Sequence, residues 1–161
     1  MLYIAHKQSE LNFEQMMEVY EEGNRENAES FWPDLSAHEQ MLRAEREFYS
    51  YLQEDFFAVK GAYYAAWVDD GCYMSMLRLE PYQDGLLLEA LETRPDSRQK
   101  GYATKLMQAV LQQETRKIYS HVSKHNTASL RTHEKCGFRK ILDHAVYIDG
   151  SVSANSVTLC R

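Results

Sequence analysis

The pattern of apolar and polar positions divides the chain into short apolar runs and longer stripes with helical spacing. Four stripes repeat at three- and four-residue intervals, which predicts four amphipathic helices. They cover residues 13–22, 37–52, 101–115 and 126–136. The short runs, rich in aromatic and branched residues, predict strands. They cover residues 2–5, 56–68 with a break near Gly61, 72–80, 86–93, 118–123, 138–147 and 156–160.

Capping residues mark where the first two helices begin. Asn12 is a favourable N-cap for the first helix, and Ser36 with Glu39 three positions later has the pattern of a capping box for the second. Gly23 is typical of a residue that ends a helix. We therefore expect the first helix to stop there and residues 24–35 to form a loop.

The order of these elements predicts a mixed sheet in a single α/β domain covering residues 1–161. Asp-Gly pairs at 70–71 and 84–85 predict tight turns, so the middle strands form an antiparallel meander. A helix separates the strands at 86–93 and 118–123, which makes these two strands parallel. We expect about six or seven strands, about four helices, and a ligand at the carboxyl ends of the parallel pair.

A basic turn containing glycine joins the strand at 86–93 to the helix that follows it. Arg98, Lys100 and Gly101 lie directly before the helical stripe. The first N–H groups of a helix have no partners inside it, and together with the helix dipole they attract an anion such as phosphate. Gly101 lets the backbone approach a ligand closely because it has no Cβ. The turn has neither a Walker spacing nor the three glycines of a dinucleotide fingerprint, so it predicts another kind of phosphate site.

Two motifs carry a resemblance to a known family. The spacing Arg98-x-x-Gly101-x-Ala103 resembles the pyrophosphate loop of the GNAT acetyltransferase superfamily. Residues 126–138, Asn-Thr-Ala-Ser-Leu-Arg-Thr-His-Glu-Lys-Cys-Gly-Phe, resemble the second motif of that family, which usually ends Tyr-Glu-Lys-x-Gly-Phe. The close match covers about residues 86–140. The resemblance implies a GNAT-like fold whose two parallel strands splay apart, with the pantetheine arm of acetyl-CoA in the gap.

The resemblance also implies which residues contact acetyl-CoA, the expected co-substrate. Backbone N–H groups of residues 98–104 would hold the diphosphate, and the main chain of Leu91 and Thr93 would pair with the pantetheine arm. The N–H of Leu91 would face the thioester oxygen, and Asn126 would cap a helix, reach the pantetheine arm, or do both. The predicted acetyl-CoA residues are Leu91, Thr93, Arg98, Gln99, Lys100, Gly101, Tyr102, Ala103, Thr104 and Asn126.

Glu89 and Glu92 are the candidate bases, because the amine that attacks a thioester must first lose a proton. Burial in an otherwise apolar strand raises the pKa of a carboxyl, which marks such a residue as a site candidate. In a regular strand these two side chains point to opposite faces. Both reach one site only if a bulge lies between them, so their roles as base or amine-binding group stay open.

His133 stands where the family usually has a tyrosine. An imidazolium in that position is able to protonate a leaving thiolate, since histidine titrates near neutrality. The ring is equally suited to a structural hydrogen bond on the helix face. His121 and His125 flank the second parallel strand, and without a third ligand at suitable spacing they are interpreted as structural or rim residues rather than metal ligands.

Composition narrows the class of function without identifying the acceptor. The net charge of −6 argues against non-specific nucleic-acid binding, and no segment has the length of a membrane span or the pattern of a signal peptide. Three cysteines without Cys-x-x-Cys spacing argue against a disulfide framework or a zinc site, so we expect a cytoplasmic protein without a metal. A homodimer is compatible with the sequence.

Two functions remain. The first is an N-acetyltransferase that moves the acetyl group of acetyl-CoA to an amine of a small molecule or peptide by direct attack. The second is a non-catalytic sensor or subunit that keeps the acyl-CoA site, an alternative supported by the replacement of the usual tyrosine by His133. By the resemblance, acceptor specificity would come from about residues 13–52, where aromatic and acidic side chains are frequent.

Overall fold

Seven strands form one mixed sheet, and two short strands form a separate ribbon. The computed structural model describes residues 1–161. The strands are β1 (Leu2–Ala5), β2 (Tyr63–Asp69), β3 (Cys72–Tyr82), β4 (Gly85–Thr93), β5 (Lys117–Ser123), β6 (Arg139–Leu142), β7 (Ala145–Val146), β8 (Val152–Ser153) and β9 (Ser156–Cys160). The order across the sheet is β1-β2-β3-β4-β5-β9-β6, and β7 pairs with β8. All neighbours are antiparallel except β4 and β5, which confirms the predicted meander and parallel pair.

Five α-helices cover the two faces of the sheet. They are α1 (Phe13–Val19), α2 (Glu21–Phe31), α3 (Ala37–Tyr51), α4 (Tyr102–Gln113) and α5 (Thr127–Lys135). None of them combines the length and the apolar character that crossing a bilayer requires. Alternation along β2 divides the core: Tyr63 and Ala65 pack with α4, whereas Tyr64 and Ala66 pack with α1 and the turn after α3. The sheet therefore separates two apolar cores, one on each of its faces.

The expected loop at residues 24–35 is wrong, because α2 occupies most of it and Gly23 lies inside that helix. The buried positions of α2 are Asn24 and Ala28, a polar and a small residue four positions apart. This narrow stripe contains no large apolar side chain, so the hydrophobic period does not reveal it. The finding adds a fifth helix and brings its acidic side chains next to the end of β4.

The expected strand over residues 56–60 is also wrong. A π-helical turn (Leu52–Phe56) continues α3, and β2 begins only at Tyr63. The aromatic residues there pack as a cluster, with the rings of Phe56 and Tyr64 4.8 Å apart. The high β-propensity of these aromatic residues therefore comes from how their side chains pack, and it does not require an extended backbone here. The predicted strand at 138–147 is likewise divided into β6 and β7.

The parallel pair separates partway along its length. Pairing runs from Gly85 opposite Lys117 to Leu88 opposite Ser120, and it stops there although both strands continue. The expected splay is therefore confirmed. The main chain of β4 beyond Leu88 has no partner in β5, which leaves an open edge within the sheet.

A bulge lies at the start of this open edge. Three residues of β3, Met76 to Arg78, lie opposite four of β4, Glu92 back to Glu89, so β4 contains one extra residue. Ala90 at the bulge has a φ of +51°, in the left-handed region that is unfavourable for a residue with a Cβ. A hydrogen bond of 2.8 Å from the buried Tyr20 hydroxyl to the Ala90 carbonyl supports this conformation.

Candidate functional site

A cleft of about 590 Å³ opens where β4 and β5 diverge, between the first turns of α4 and α5. Its lining includes nine of the ten residues predicted to contact acetyl-CoA. The exception is Lys100, whose ammonium group donates to the backbone carbonyl of Asp96 at 3.2 Å. The two sequence motifs, about thirty residues apart in the chain, therefore meet at one cleft.

The start of α4 presents a continuous row of free hydrogen-bond donors. None of the backbone N–H groups from residue 98 to residue 104 has an acceptor within the protein. Gly101 precedes α4 with a φ of +79°, and Gln99 also has a positive φ of +62°. Such left-handed residues in a turn make a concave arrangement of N–H groups that favours anions. A Cβ at Gly101 would meet no atom within 4 Å, so this position is open for a ligand.

Arg98 adds positive charge at the rim of this cleft. Its guanidinium forms an ion pair with Glu22 of α2. The hydrogen bond and the charge of Arg98 lower the pKa of Glu22. Because Arg98 also lines the cleft, its charge is shared between α2 and whatever the cleft binds. The arginine thus links the phosphate side of the site to a helix that the sequence pattern did not predict.

The bulge in β4 places Glu89 and Glu92 on the same face of the sheet. Glu89 lies opposite Arg78 and Glu92 lies opposite Met76, and residues two apart in β3 share a face. The condition for both carboxylates to reach one site is therefore met. They still differ in their surroundings.

Glu89 lies between two cavities. It lines a groove of about 720 Å³ on the side of α3, together with Tyr51, Glu80 and Tyr147. It also lines a smaller cavity of about 180 Å³ between the splayed strands. Arg78 donates two hydrogen bonds to the Glu89 carboxylate, at 3.3 and 3.2 Å, which fixes its orientation. Burial and the nearby charge of Glu89 raise the pKa of Glu80.

Glu92 borders both the 590 Å³ cleft and the 180 Å³ cavity. Burial raises the pKa of its carboxyl; Arg98 opposes this effect, and Glu22 and Glu26 of α2 add to it. The two carboxylates therefore face the junction of the cleft, the cavity and the groove. No group of three or more His, Cys, Asp or Glu side chains has the arrangement of a metal site.

Comparison with known proteins agrees with this geometry. The model of the acetyltransferase (GNAT) family matches residues 15–138. The chain belongs to that family. The match extends well beyond the two motifs, from α1 to the residue before β6.

Solved structures show the same fold at low sequence identity. The PaiA N-acetyltransferase of Thermoplasma acidophilum, in complex with coenzyme A, is 14% identical, with a TM-score of 0.63, over 100% of this chain and 98% of the other. A GNAT acetyltransferase from Bacillus anthracis is 16% identical, with a TM-score of 0.62, over 99% and 93%. The ribosomal-protein-S18-alanine N-acetyltransferase of Escherichia coli is 14% identical, with a TM-score of 0.57, over 99% and 92%. A comparison of the sequence with curated proteins found no match.

In this GNAT protein, His133 is held by the protein itself. The residue is 1% exposed, its Nδ1 lies 2.8 Å from the Ser129 carbonyl, and its Nε2 lies 2.9 Å from the Ser120 hydroxyl. Burial lowers its pKa, and the hydrogen bond to the Ser129 carbonyl opposes that shift. With both ring nitrogens engaged, the geometry favours the structural hydrogen bond over the proton donor. The His133 ring nevertheless forms part of the wall of the 180 Å³ cavity.

Asn126 caps α5 and also lines the cleft. Its Oδ1 accepts a hydrogen bond of 3.0 Å from the Ser129 N–H, which caps α5. The same side chain lines both the cleft and the cavity. The cap on α5 therefore does not exclude the other predicted role of Asn126, a contact with the pantetheine arm.

Sequence reasoning missed the residues that shape the bulge and the groove. Tyr20 supports the bulge, and Tyr147 and Glu80 contribute to the groove from elements far apart in the chain. The predicted specificity region, residues 13–52, supplies only Tyr51 to the groove lining. An acidic residue in a strand was the only available signal, and it identified Glu89 and Glu92.

Proposed function

We propose that the protein is an N-acetyltransferase that moves the acetyl group of acetyl-CoA to a primary amine of a small molecule or peptide. The observation that supports this most directly is the junction of three spaces at the splay of β4 and β5. A row of free N–H groups lies on one side of that junction. Glu89 and a separate groove lie on the other side, and Glu92 lies between the two. The arrangement suits a ternary complex in which donor and acceptor arrive from opposite sides.

Acetyl-CoA would occupy the cleft beside α4. The free N–H groups of residues 98–104 match the oxygens of its diphosphate, since a helix N-terminus favours anions. The open edge of β4 beyond Leu88 offers main-chain groups to the pantetheine arm, in the manner of an added strand. Leu91 and Thr93 belong to this edge and line the cleft. The Leu91 N–H is the group we assign to the thioester oxygen, where negative charge develops during attack.

The amine would reach the same point through the groove. Glu89 and Glu92 attract its ammonium form, and the amine must lose one proton before its lone pair attacks the carbonyl carbon. The carbon–nitrogen bond then forms and the carbon–sulfur bond breaks. The second amine proton ends on the thiolate, directly or through water. His133, held by Ser120 and Ser129, supports the cavity wall in this scheme rather than supplying that proton.

A non-catalytic acyl-CoA-binding protein is the competing function, because His133 replaces the usual tyrosine. Calorimetric titration with acetyl-CoA and mass spectrometry of a panel of primary amines separate the two. An acetyltransferase gives one acetylated amine for each CoA released. Binding without turnover on the whole panel would instead establish a sensor or subunit, and the absence of binding would reject both functions.

A further inference from the structure

The 720 Å³ groove on the side of α3 carries an excess of negative charge. Four of its lining side chains are carboxylates, and no lysine or arginine lines it. Glu89 alone among them has a cationic partner within the protein, which is Arg78. The other three carboxylates, Asp55, Glu80 and Asp149, form no ion pair with any residue of the chain. The protein therefore leaves most of the charge in this groove without a counter-charge.

The uncompensated carboxylates lie at two depths. Glu80 is half-buried beside Glu89, and burial together with the charge of Glu89 raises the pKa of Glu80. Asp55 and Asp149 are exposed, on the turn that continues α3 and on the turn between β7 and β8. Hydrogen bonds of 2.9 and 2.6 Å from Ser151 orient the Asp149 carboxylate and lower its pKa. A ligand that fills the groove thus meets negative charge at the inner end and again at the rim.

Apolar surface accompanies these charges. Half of the ten lining residues are hydrophobic, among them the rings of Tyr51, Phe56 and Tyr147. Two aliphatic side chains of the lining, Val59 and Ile148, are 39% and 54% exposed. A ligand with a methylene chain would remove these large apolar side chains from water, which is favourable. The lining therefore suits methylene groups that separate positive charges.

The cavity at the inner end gives an independent sign of a ligand that carries hydrogen-bond donors. His121 lines this 180 Å³ cavity, and both of its ring nitrogens are shielded from solvent without a partner in the protein. Buried polar groups nearly always have a partner. Glu89 lines both the cavity and the groove, so a ligand held by Glu89 borders both spaces. An amino group there brings N–H donors to a ring nitrogen that is able to accept one.

We propose that the acceptor is a linear diamine whose reacting amine enters past Glu89, while Asp55 and Asp149 hold its second ammonium group at the rim. This inference rests on the proposed acetyl transfer. One amino group loses a proton and is acetylated, and the other stays protonated, so the product keeps one positive charge. The second charge takes no part in the bond changes and contributes to binding and orientation. Discrimination between a monoamine and a diamine is therefore a property of the groove.

The test compares pentylamine with 1,5-diaminopentane, which have the same carbon chain and differ in the second amino group. We expect kcat/KM for the diamine to be higher by about tenfold or more, since a hydrogen bond to a charged group contributes about one to two orders of magnitude. This preference should shrink as the ionic strength rises, because salt screens exposed charges. The double variant Asp55→Asn, Asp149→Asn should lose most of the preference. Asparagine keeps a side-chain oxygen for the hydrogen bonds from Ser151.

The matched control is the double variant Asp34→Asn, Asp70→Asn, which removes the same charge from two exposed carboxylates outside the groove. It should keep the full preference for the diamine, and the Tm and the affinity for acetyl-CoA of both double variants should equal those of the wild type.

An unchanged preference in the groove variant, or an equal loss in both double variants, would overturn the proposal. A wild-type protein that acetylates pentylamine or other primary amines no less well than the diamine would overturn it as well and leave the acetyl transfer standing. Binding of acetyl-CoA without acetylation of any amine tested would instead reject the acetyl transfer on which the proposal rests.

Discussion

The two sides of the splay in the sheet are built in different ways. The cleft beside α4 is formed by consecutive main-chain N–H groups of residues 98–104. The groove on the opposite side is lined by side chains from four separate segments, among them Tyr51, Glu80, Glu89 and Tyr147. A site made of main chain depends on backbone conformation and tolerates changes of side chain. A site made of side chains depends on each residue. This difference predicts which substitutions damage the cleft and which damage the groove.

The largest effect is expected from a change of the backbone site. Gly101→Val introduces a branched side chain at a φ of +79°, in the space where a ligand approaches the N–H groups. We expect acetyl-CoA affinity to fall by about 10²-fold or more, because the diphosphate loses access to several charge-assisted hydrogen bonds. Calorimetric titration of the folded variant measures this.

Gly71→Val is the matched control for that substitution. Gly71 has a similar φ of +75°, a Cβ there would also meet no atom within 4 Å, and it lies in the β2–β3 turn, outside the lining of the cleft. Both variants should lose similar stability from backbone strain, whereas only Gly101→Val should lose acetyl-CoA binding. Equal affinities in the two variants would disprove the assignment of the phosphate site.

On the groove side, Glu89→Gln should reduce kcat/KM for the amine by about 10–100-fold, because a hydrogen bond to a charged group is worth about 1.5–3 kcal/mol. Acetyl-CoA affinity should stay unchanged, since Glu89 does not line the cleft. Steady-state kinetics with both substrates varied separates these effects. Glu114→Gln, a carboxylate paired with Arg116 at the far end of α4, is the control. If Glu89→Gln lost only affinity for acetyl-CoA, that result would contradict the division between the cleft and the groove.

The same division explains how much the sequence predicted. The cleft was found because the residues that form it are contiguous and have a recognisable spacing around Gly101. The sequence leaves the relation between Glu89 and Glu92 open, since it depends on a bulge that tertiary contacts impose. Ala90 adopts its positive φ where a hydroxyl from another element, Tyr20, bonds its carbonyl. No local pattern encodes such a contact.

The groove was not predicted for a similar reason. Phe56 and Val59 line the groove from the turn after α3, where the apolar pattern predicts a strand. Tyr147 follows β7, a strand of two residues that the sequence pattern merged with β6. Elements of this size are set by packing rather than by propensity. The groove is therefore the part of this site that required coordinates.

A smaller effect is expected from Tyr20→Phe, which removes the hydroxyl that bonds the Ala90 carbonyl. A buried carbonyl without its donor costs about 1–3 kcal/mol, which should appear as a decrease in the free energy of unfolding. Because the bulge aligns Glu89 with Glu92, kcat should also decrease several-fold while acetyl-CoA affinity changes little. Urea denaturation and kinetics on the same preparation measure both quantities. A stability loss without any change in kcat would show that the bulge persists without this hydrogen bond.

The smallest effect on turnover is expected at His133, which supports the cavity from α5. In His133→Phe the hydrogen bonds to Ser120 and Ser129 are lost, so we expect a decrease of about 1–3 kcal/mol in the free energy of unfolding and nearly unchanged kcat. Burial holds the pKa of His133 below its unfolded value. The unfolded state therefore binds a proton first as the pH falls, and stability declines through the window just below the ordinary histidine pKa of about 6.5.

Phenylalanine does not titrate, so the stability difference between wild type and His133→Phe should narrow as the pH falls from about 7 toward 5. Urea denaturation at several pH values measures this narrowing. The alkaline limb of the pH–rate profile should be the same in His133→Phe as in the wild type. A neutral imidazole whose two nitrogens both form hydrogen bonds within the protein gives no proton to the thiolate. Loss of that limb together with a large decrease in kcat would return His133 to the role of the tyrosine usual in this family.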